Sequence, residues 1–79
     1  MKVKIKFFSL LQKIAGKKND EIEIADCSTV EDLEKILFEK YPELKKYKPL
    51  LSVNNALAKG AQILKDGDEV ALYLAVAGG

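Results

Sequence analysis

The sequence as given ends Ala77-Gly78-Gly79, directly after an apolar strand pattern running from Val70 to Val76. A carboxylate carried on two residues without Cβ has the slimmest and most flexible tether a polypeptide offers. Such a tether can thread a channel closed to any side chain, and from Val76 to Gly79 it reaches roughly 13 Å when extended. The chemistry open to it is acyl chemistry at the Gly79 carboxylate inside a partner's active site. Gly78 then supplies clearance, and Val76 and Ala77 form the neck. An isolated Gly-Gly is better explained as a ragged end, so the weight falls on the rest of the chain.

That rest is poor in catalytic side chains. The 79 residues contain no His, and all 13 basic residues are Lys. No side chain therefore has an unperturbed pKa placed for acid–base work near neutrality. The bidentate fork that grips phosphates and guanine edges is also missing. Thirteen basic against 12 acidic residues leave a net charge of +1, which gives no global field toward nucleic acid or an anionic membrane. The single Cys27 cannot form an internal disulfide or a structural zinc site, and it reads as an inert or half-buried thiol in a reducing compartment. No apolar run approaches the ~20 residues of a membrane span, and no signal peptide opens the chain. The expectation is a cytoplasmic protein that binds neither nucleic acid nor membrane and works through another protein.

The elements follow from periodicity. Lys2 to Phe8 alternates, sending Val3, Ile5 and Phe7 to a core and Lys2, Lys4, Lys6 and Phe8 outward. Ser9-Leu10-Leu11-Gln12 has capping-box spacing and Gly16 can end a helix, so residues 9–15 read as one short helix. Lys17 to Asp20 reads as a polar turn, and Glu21 to Ile24 as a second strand whose outward acids face the lysines of the first. Thr29 caps a helix with Val30, Leu33, Ile36, Leu37 and Tyr41 on its apolar stripe, stopped by Pro42. Glu43 to Pro49 is a charged connection with room for one helical turn. Leu51 and Val53 form a third strand, followed by an Asn54-Asn55 turn and a short strand near Leu57. Lys65-Asp66-Gly67-Asp68 is a turn before the last strand, Glu69 to Val76.

This order predicts an α+β fold, the ubiquitin-like β-grasp: a mixed sheet crossed by one main helix, with the first and last strands as parallel central neighbours. Residues 1–79 form one domain of about 4–12 kcal/mol stability, with 76–79 as an exposed functional tail. Phe8, Tyr73 and Ala75 then share the outer sheet face beside the tail, a placement suited to a partner-binding patch. The Asp66 to Glu69 acids lack the ligand spacing of a calcium loop, and a turn that needs Gly67 accounts for them. No metal or bound cofactor is expected, and no phosphate-cradling glycine loop is present.

Over essentially its whole length the chain resembles the small sulfur-carrier subunits of molybdopterin synthase. The matching pieces are Val3-Lys4-Ile5-Lys6-Phe7-Phe8, the helix with Leu10, Leu11 and Gly16, and Ser28-Thr29-Val30-Glu31-Asp32-Leu33. Val53-Asn54, Asp66-Gly67-Asp68-Glu69-Val70 and Gly78-Gly79 complete the set. The related thiamine-pathway carrier is similar but typically lacks the helix between the first two strands, so residues 9–16 favour the molybdopterin branch. Leu74-Ala75 departs from the Pro-Pro of many members. The resemblance implies that a ubiquitin-activating-type adenylase, using ATP and Mg, joins Gly79 to AMP. Sulfur from a sulfurtransferase or cysteine desulfurase then yields a C-terminal thiocarboxylate. The large synthase subunit receives the tail and a pterin precursor takes the sulfur. On this reading the chain is no enzyme alone. Sulfur delivery to thiamine or tungsten-pterin pathways, or conjugation to proteins through Gly79, are the alternatives.

Overall fold

A computed structural model of the chain describes residues 1–74. Five strands form one mixed sheet in the order β2-β1-β5-β3-β4. They are β1 (Lys2–Phe7), β2 (Asn19–Glu23), β3 (Leu50–Val53), β4 (Ala56–Leu57) and β5 (Glu69–Tyr73). The alternation of β1 is realised residue by residue, exposed lysines against buried Val3, Ile5 and Phe7. β1 and β5 are parallel central neighbours, with Ile5 opposite Val70 and Phe7 opposite Leu72. β3 pairs antiparallel with β5, placing Leu51 opposite Leu72 and Val53 opposite Val70. These residues give the sheet one continuous apolar face. The β-grasp expectation holds, with three helices where one main helix and up to two short ones were foreseen.

The main helix, α2 (Val30–Lys40), covers that face with Val30, Leu33 and Leu37. Its N-terminus is satisfied twice over. The Thr29 hydroxyl accepts from the Asp32 N–H (3.2 Å), and the Asp32 carboxylate accepts from the Thr29 N–H (2.9 Å). The loop after β4 supplies carbonyls as well, Gln62 to the Val30 N–H and Gly60 to the Glu31 N–H. All three first-turn donors are thereby matched, a set that helix ends otherwise leave open to water. Two short helices, α1 (Leu10–Ala15) and α3 (Leu44–Tyr47), bury Leu11 and Leu44 at one end of the sheet.

Three expectations need correction. Ser9 does not cap α1: at φ 52° and ψ −132° its side chain makes no capping bond. Gln12 reaches back instead, its Nε2 donating to the Phe7 carbonyl at 3.0 Å, so the spacing serves the strand end rather than the helix start. The polar turn is shorter than Lys17 to Asp20, because Asn19 and Asp20 already pair with Lys6 and Ile5. Cys27, expected to be inert or half-buried, is exposed at φ 65°, which removes the second of those alternatives. The turns behave as read: Gly16 and Gly67 take φ 76° and 82°, and Asn54 and Asn55 take 50° and 72°, values suited to a two-residue hairpin. The two aspartates of the 65–68 turn hold backbone: Asp66 accepts from the Lys2 N–H and Asp68 from the Lys65 N–H, both at 2.8 Å, and Asp68 also accepts from Asn54 Nδ2 at 3.0 Å.

Asp20 ties the start of β2 to the end of α2. It accepts from the Tyr41 hydroxyl at 2.6 Å and from Lys40 Nζ at 2.8 Å, while the Tyr41 ring packs edge-on against Phe7. Partial burial alone would raise the Asp20 pKa. The bonds from Lys40, Tyr41 and the Glu21 N–H outweigh it and bring the group to about 2, while burial and the Asp20 carboxylate push Tyr41 up to about 12. A depressed carboxylate pKa stabilises the fold above its unfolded value and loses that contribution as pH falls through the folded one. We therefore expect Asp20→Asn to cost about 2 kcal/mol at pH 7. The wild-type advantage should shrink progressively between roughly pH 4 and pH 2. Urea melts at both ends of that window check it; a difference that does not vary with pH would mean the carboxylate charge is not what holds the two elements together.

Candidate functional site

The outer face of the sheet is built by register. One row crosses four strands: Lys6 on β1 opposite Ala71 on β5, Ala71 opposite Ser52 on β3, and Ser52 opposite Leu57 on β4. The two middle positions carry the smallest side chains, and larger ones flank them. The result is a shallow groove of about 390 Å³, floored by Ser52 and Ala71 and walled by Phe8, Tyr73, Leu57 and Lys6. Two of its walls are aromatic, Phe8 and Tyr73, and its floor is made of the small side chains of the register row.

Phe8 owes its position to β5. Its N–H donates to the Leu72 carbonyl at 3.2 Å, which extends the parallel ladder one residue and brings Phe8 opposite Tyr73. Ser9 then turns away at positive φ to begin α1. Phe8 is 45% exposed and Leu57 68%. Tyr73 is half-buried, flanked by Phe8 on one side and by Leu50, its antiparallel partner on β3, on the other. The two described residues of the expected patch, Phe8 and Tyr73, are thus brought together as the alternation implied. Ala75, Val76, Ala77, Gly78 and Gly79 lie outside the described residues. Leu74, the last described residue and one half of the departure from Pro-Pro, packs partly buried against the core.

The lysines of β1 are less uniform than the sequence suggests. Lys2 reaches Glu21 diagonally at 3.8 Å, whereas Lys6 turns to the other side and meets Glu69 on β5 at 3.0 Å. Surface pairs of this kind are worth at most about 1 kcal/mol each. Lys6 and Glu69 therefore act mainly as a polar rim to the groove. Leu57 and Leu50 were missed as site residues. The signal for Leu57 was present in the Asn54-Asn55 turn, because a two-residue loop fixes the register and sends Leu57 to the face of Ser52.

The ThiS family model matches residues 5–79 of the chain. The molybdopterin synthase sulfur carrier subunit of Mycobacterium tuberculosis is 32% identical over 82 residues, covering 100% of this chain and 99% of that protein. Among solved structures, a Pyrococcus furiosus protein assigned as molybdopterin converting factor subunit 1 superposes with a TM-score of 0.90. It is 28% identical, and the match covers 96% of this chain and 99% of that one. The complex of subunits 1 and 2 of molybdopterin-converting factor from Helicobacter pylori contains a similar chain, with a TM-score of 0.73, 29% identity and full coverage of both chains.

Phe8 and Leu57 should be replaceable without unfolding the protein, since both are exposed and neither belongs to the buried core. Phe8→Asp and Leu57→Asp are expected to shift thermal midpoints by no more than a few degrees, whereas Leu72→Ala in the core should cost about 2–5 kcal/mol. Circular dichroism melts compare the three, and a collapse of Phe8→Asp on the scale of Leu72→Ala would assign that ring to the core.

Proposed function

The chain belongs to the ThiS family, and from that premise we propose that it is the sulfur carrier of molybdenum cofactor biosynthesis, the small subunit of a two-part molybdopterin synthase. The observation that carries this reading is the end-to-end correspondence with the mycobacterial sulfur carrier subunit. The archaeal structure assigned as subunit 1 supports it. The complex from H. pylori supports a large subunit as the partner.

The reacting group is the Gly79 carboxylate, which is a poor electrophile until activated. A ubiquitin-activating-type adenylase, with Mg-bound ATP, joins a carboxylate oxygen to the α-phosphorus and releases pyrophosphate. The outer sulfur of a sulfurtransferase or desulfurase persulfide then attacks the acyl carbon and expels AMP. Cleavage of the resulting S–S bond by a second thiol leaves Gly79 as a thiocarboxylate. The sulfur is now an anionic nucleophile held by the carrier itself, delivered on a tail instead of being generated in a pocket.

The body contributes position. The groove between Phe8, Tyr73 and Leu57 receives an apolar projection of the large subunit. Ala75, Val76 and Ala77 run into that subunit's channel, and Gly78 gives the clearance for Gly79 to reach the pterin precursor. Fixing the body in this way turns a bimolecular encounter into a positioned one. Proton transfers fall to the partner, in keeping with a chain that has no His and no Arg. By itself the carrier catalyses nothing, and it holds no cofactor of its own.

Two measurements test this. Deleting Gly79 should abolish the oxygen-to-sulfur exchange seen by intact mass after incubation with adenylase, ATP and sulfur donor, with the circular dichroism spectrum unchanged. Sulfur loading of the truncated chain, or recovery of wild-type Gly79 linked to lysines of other proteins, would sink the carrier mechanism. Phe8→Asp should weaken binding to the large subunit at least tenfold by calorimetry, the size expected of a central aromatic anchor. Unchanged affinity would remove the groove from the interface.

A further inference from the structure

A net charge of +1 conceals a separation of charge that folding creates. β1 and β5 are parallel, so both end at one pole of the sheet, the pole at which β5 delivers the chain to its last residues. α1 follows β1 at that pole. The C-terminus of α2 arrives there too, as the contacts of Lys40 and Tyr41 with Asp20 show, and α3 packs against both helices. Lys13, Lys17 and Lys18 come from α1 and the segment after it, and Lys45, Lys46 and Lys48 from α3 and its end; all six are exposed. Lys48 is two residues before Leu50, the partner of Tyr73 at the end of β5.

Three acids share this pole, Asp20, Glu39 at the end of α2 and Glu43 at the start of α3, and the lysines outnumber them. Asp20 is already saturated by Tyr41, Lys40 and Lys17. Among the described residues, Lys13, Lys18, Lys45, Lys46 and Lys48 have no ion pair within 4 Å. The opposite pole is more acidic: Glu23 and Asp26 at the end of β2 and Asp66 and Asp68 in the turn before β5 outnumber Lys2 and Lys65.

We propose that the lysines around the exit of β5 form a docking collar for an acidic rim on the large synthase subunit, an inference that rests on the functional reading above. Lys48 approaches the Phe8–Tyr73 groove through Leu50, which pairs with Tyr73, so one partner surface can meet both. The chain from Leu74 to Gly79 spans at most about 20 Å. The lysines therefore meet the entrance of the partner's channel and not its reaction centre. A centre that handles an anionic thiocarboxylate is best served by cationic groups of its own, which leaves the entrance as the place for complementary acid. Opposed charges at an entrance raise the association rate and orient the approaching tail.

Stopped-flow association of the carrier with its cognate large subunit tests the proposal, using two charge-matched triple variants. Lys45→Glu/Lys46→Glu/Lys48→Glu changes the collar, and Lys2→Glu/Lys59→Glu/Lys65→Glu makes the same change in net charge away from it. The collar variant should associate at least tenfold more slowly at low salt and show a flattened or inverted salt dependence; the distant variant should stay within about threefold of wild type. Equal effects of the two triples would mean net charge alone acts and would overturn the proposal. So would a wild-type association rate that does not fall with salt, a readout that requires no variant to fold. Absence of any complex with the wild-type carrier would instead overturn the functional reading itself.

Discussion

The parallel pairing of β1 with β5 is the constraint on which the rest of the structure depends. These strands are far apart in sequence yet supply five deeply buried residues, Val3, Ile5, Val70 and Leu72 at 0% exposure and Phe7 at 1%. Side chains alternate across a strand, so fixing these five inward also fixes their neighbours outward. Lys6, Phe8, Ala71 and Tyr73 consequently share the opposite face in one register, and a slip of one residue would exchange the core for the groove. The parallel sense also requires a crossover. β2, α2, α3, β3 and β4 all lie within the sequence that makes it. The exit of the chain beyond Tyr73, the aromatic wall beside it and the lysines around it share this single cause.

Elements whose signal is a period were legible from the sequence. The alternation of Lys2 to Phe8 and of Glu69 to Leu74, and the stripe through Val30, Leu33 and Leu37, set both the fold and the inner and outer faces. Asn54-Asn55 and Gly67 announced positive φ, and they adopt it. Less legible were features that depend on a tertiary partner. Ser9 has the right neighbours for a cap, but the ladder bond from Phe8 to Leu72 sets the chain direction before the helix can claim the hydroxyl. Asp20 reads as one more polar residue between glycine and strand. Its role exists only because Tyr41 and Lys40, some twenty residues later, arrive at the same place.

The candidate site divides along the same line. Phe8 and Tyr73 could be placed by alternation alone, because each belongs to a strand whose inner residues are unmistakable. Leu57 belongs to a two-residue strand with no period of its own, and only the hairpin register carries it to the groove. The floor was hidden for a different reason. Small residues such as Ser52 and Ala71 carry no signal in a sequence, and they become a depression only when the sheet sets them side by side between larger neighbours.

Charge shows most plainly what a sequence total conceals. Thirteen lysines against 12 acids suggest a protein without a field. Net charge is a sum, however, and a partner at contact distance responds to the arrangement, since screening at physiological salt limits the reach of a charge to roughly 8 Å. Over that distance the pole bearing Lys13, Lys18, Lys45, Lys46 and Lys48 is a cation, whatever lies at the other end of the sheet. In the proposed function the carrier meets more than one protein and leaves each of them. Steering by charges outside the groove suits that cycle, because rim charges act mainly on the rate of encounter and leave the lifetime of the complex to the apolar contact. The groove and the collar can then be tuned independently on a sheet whose core neither of them touches.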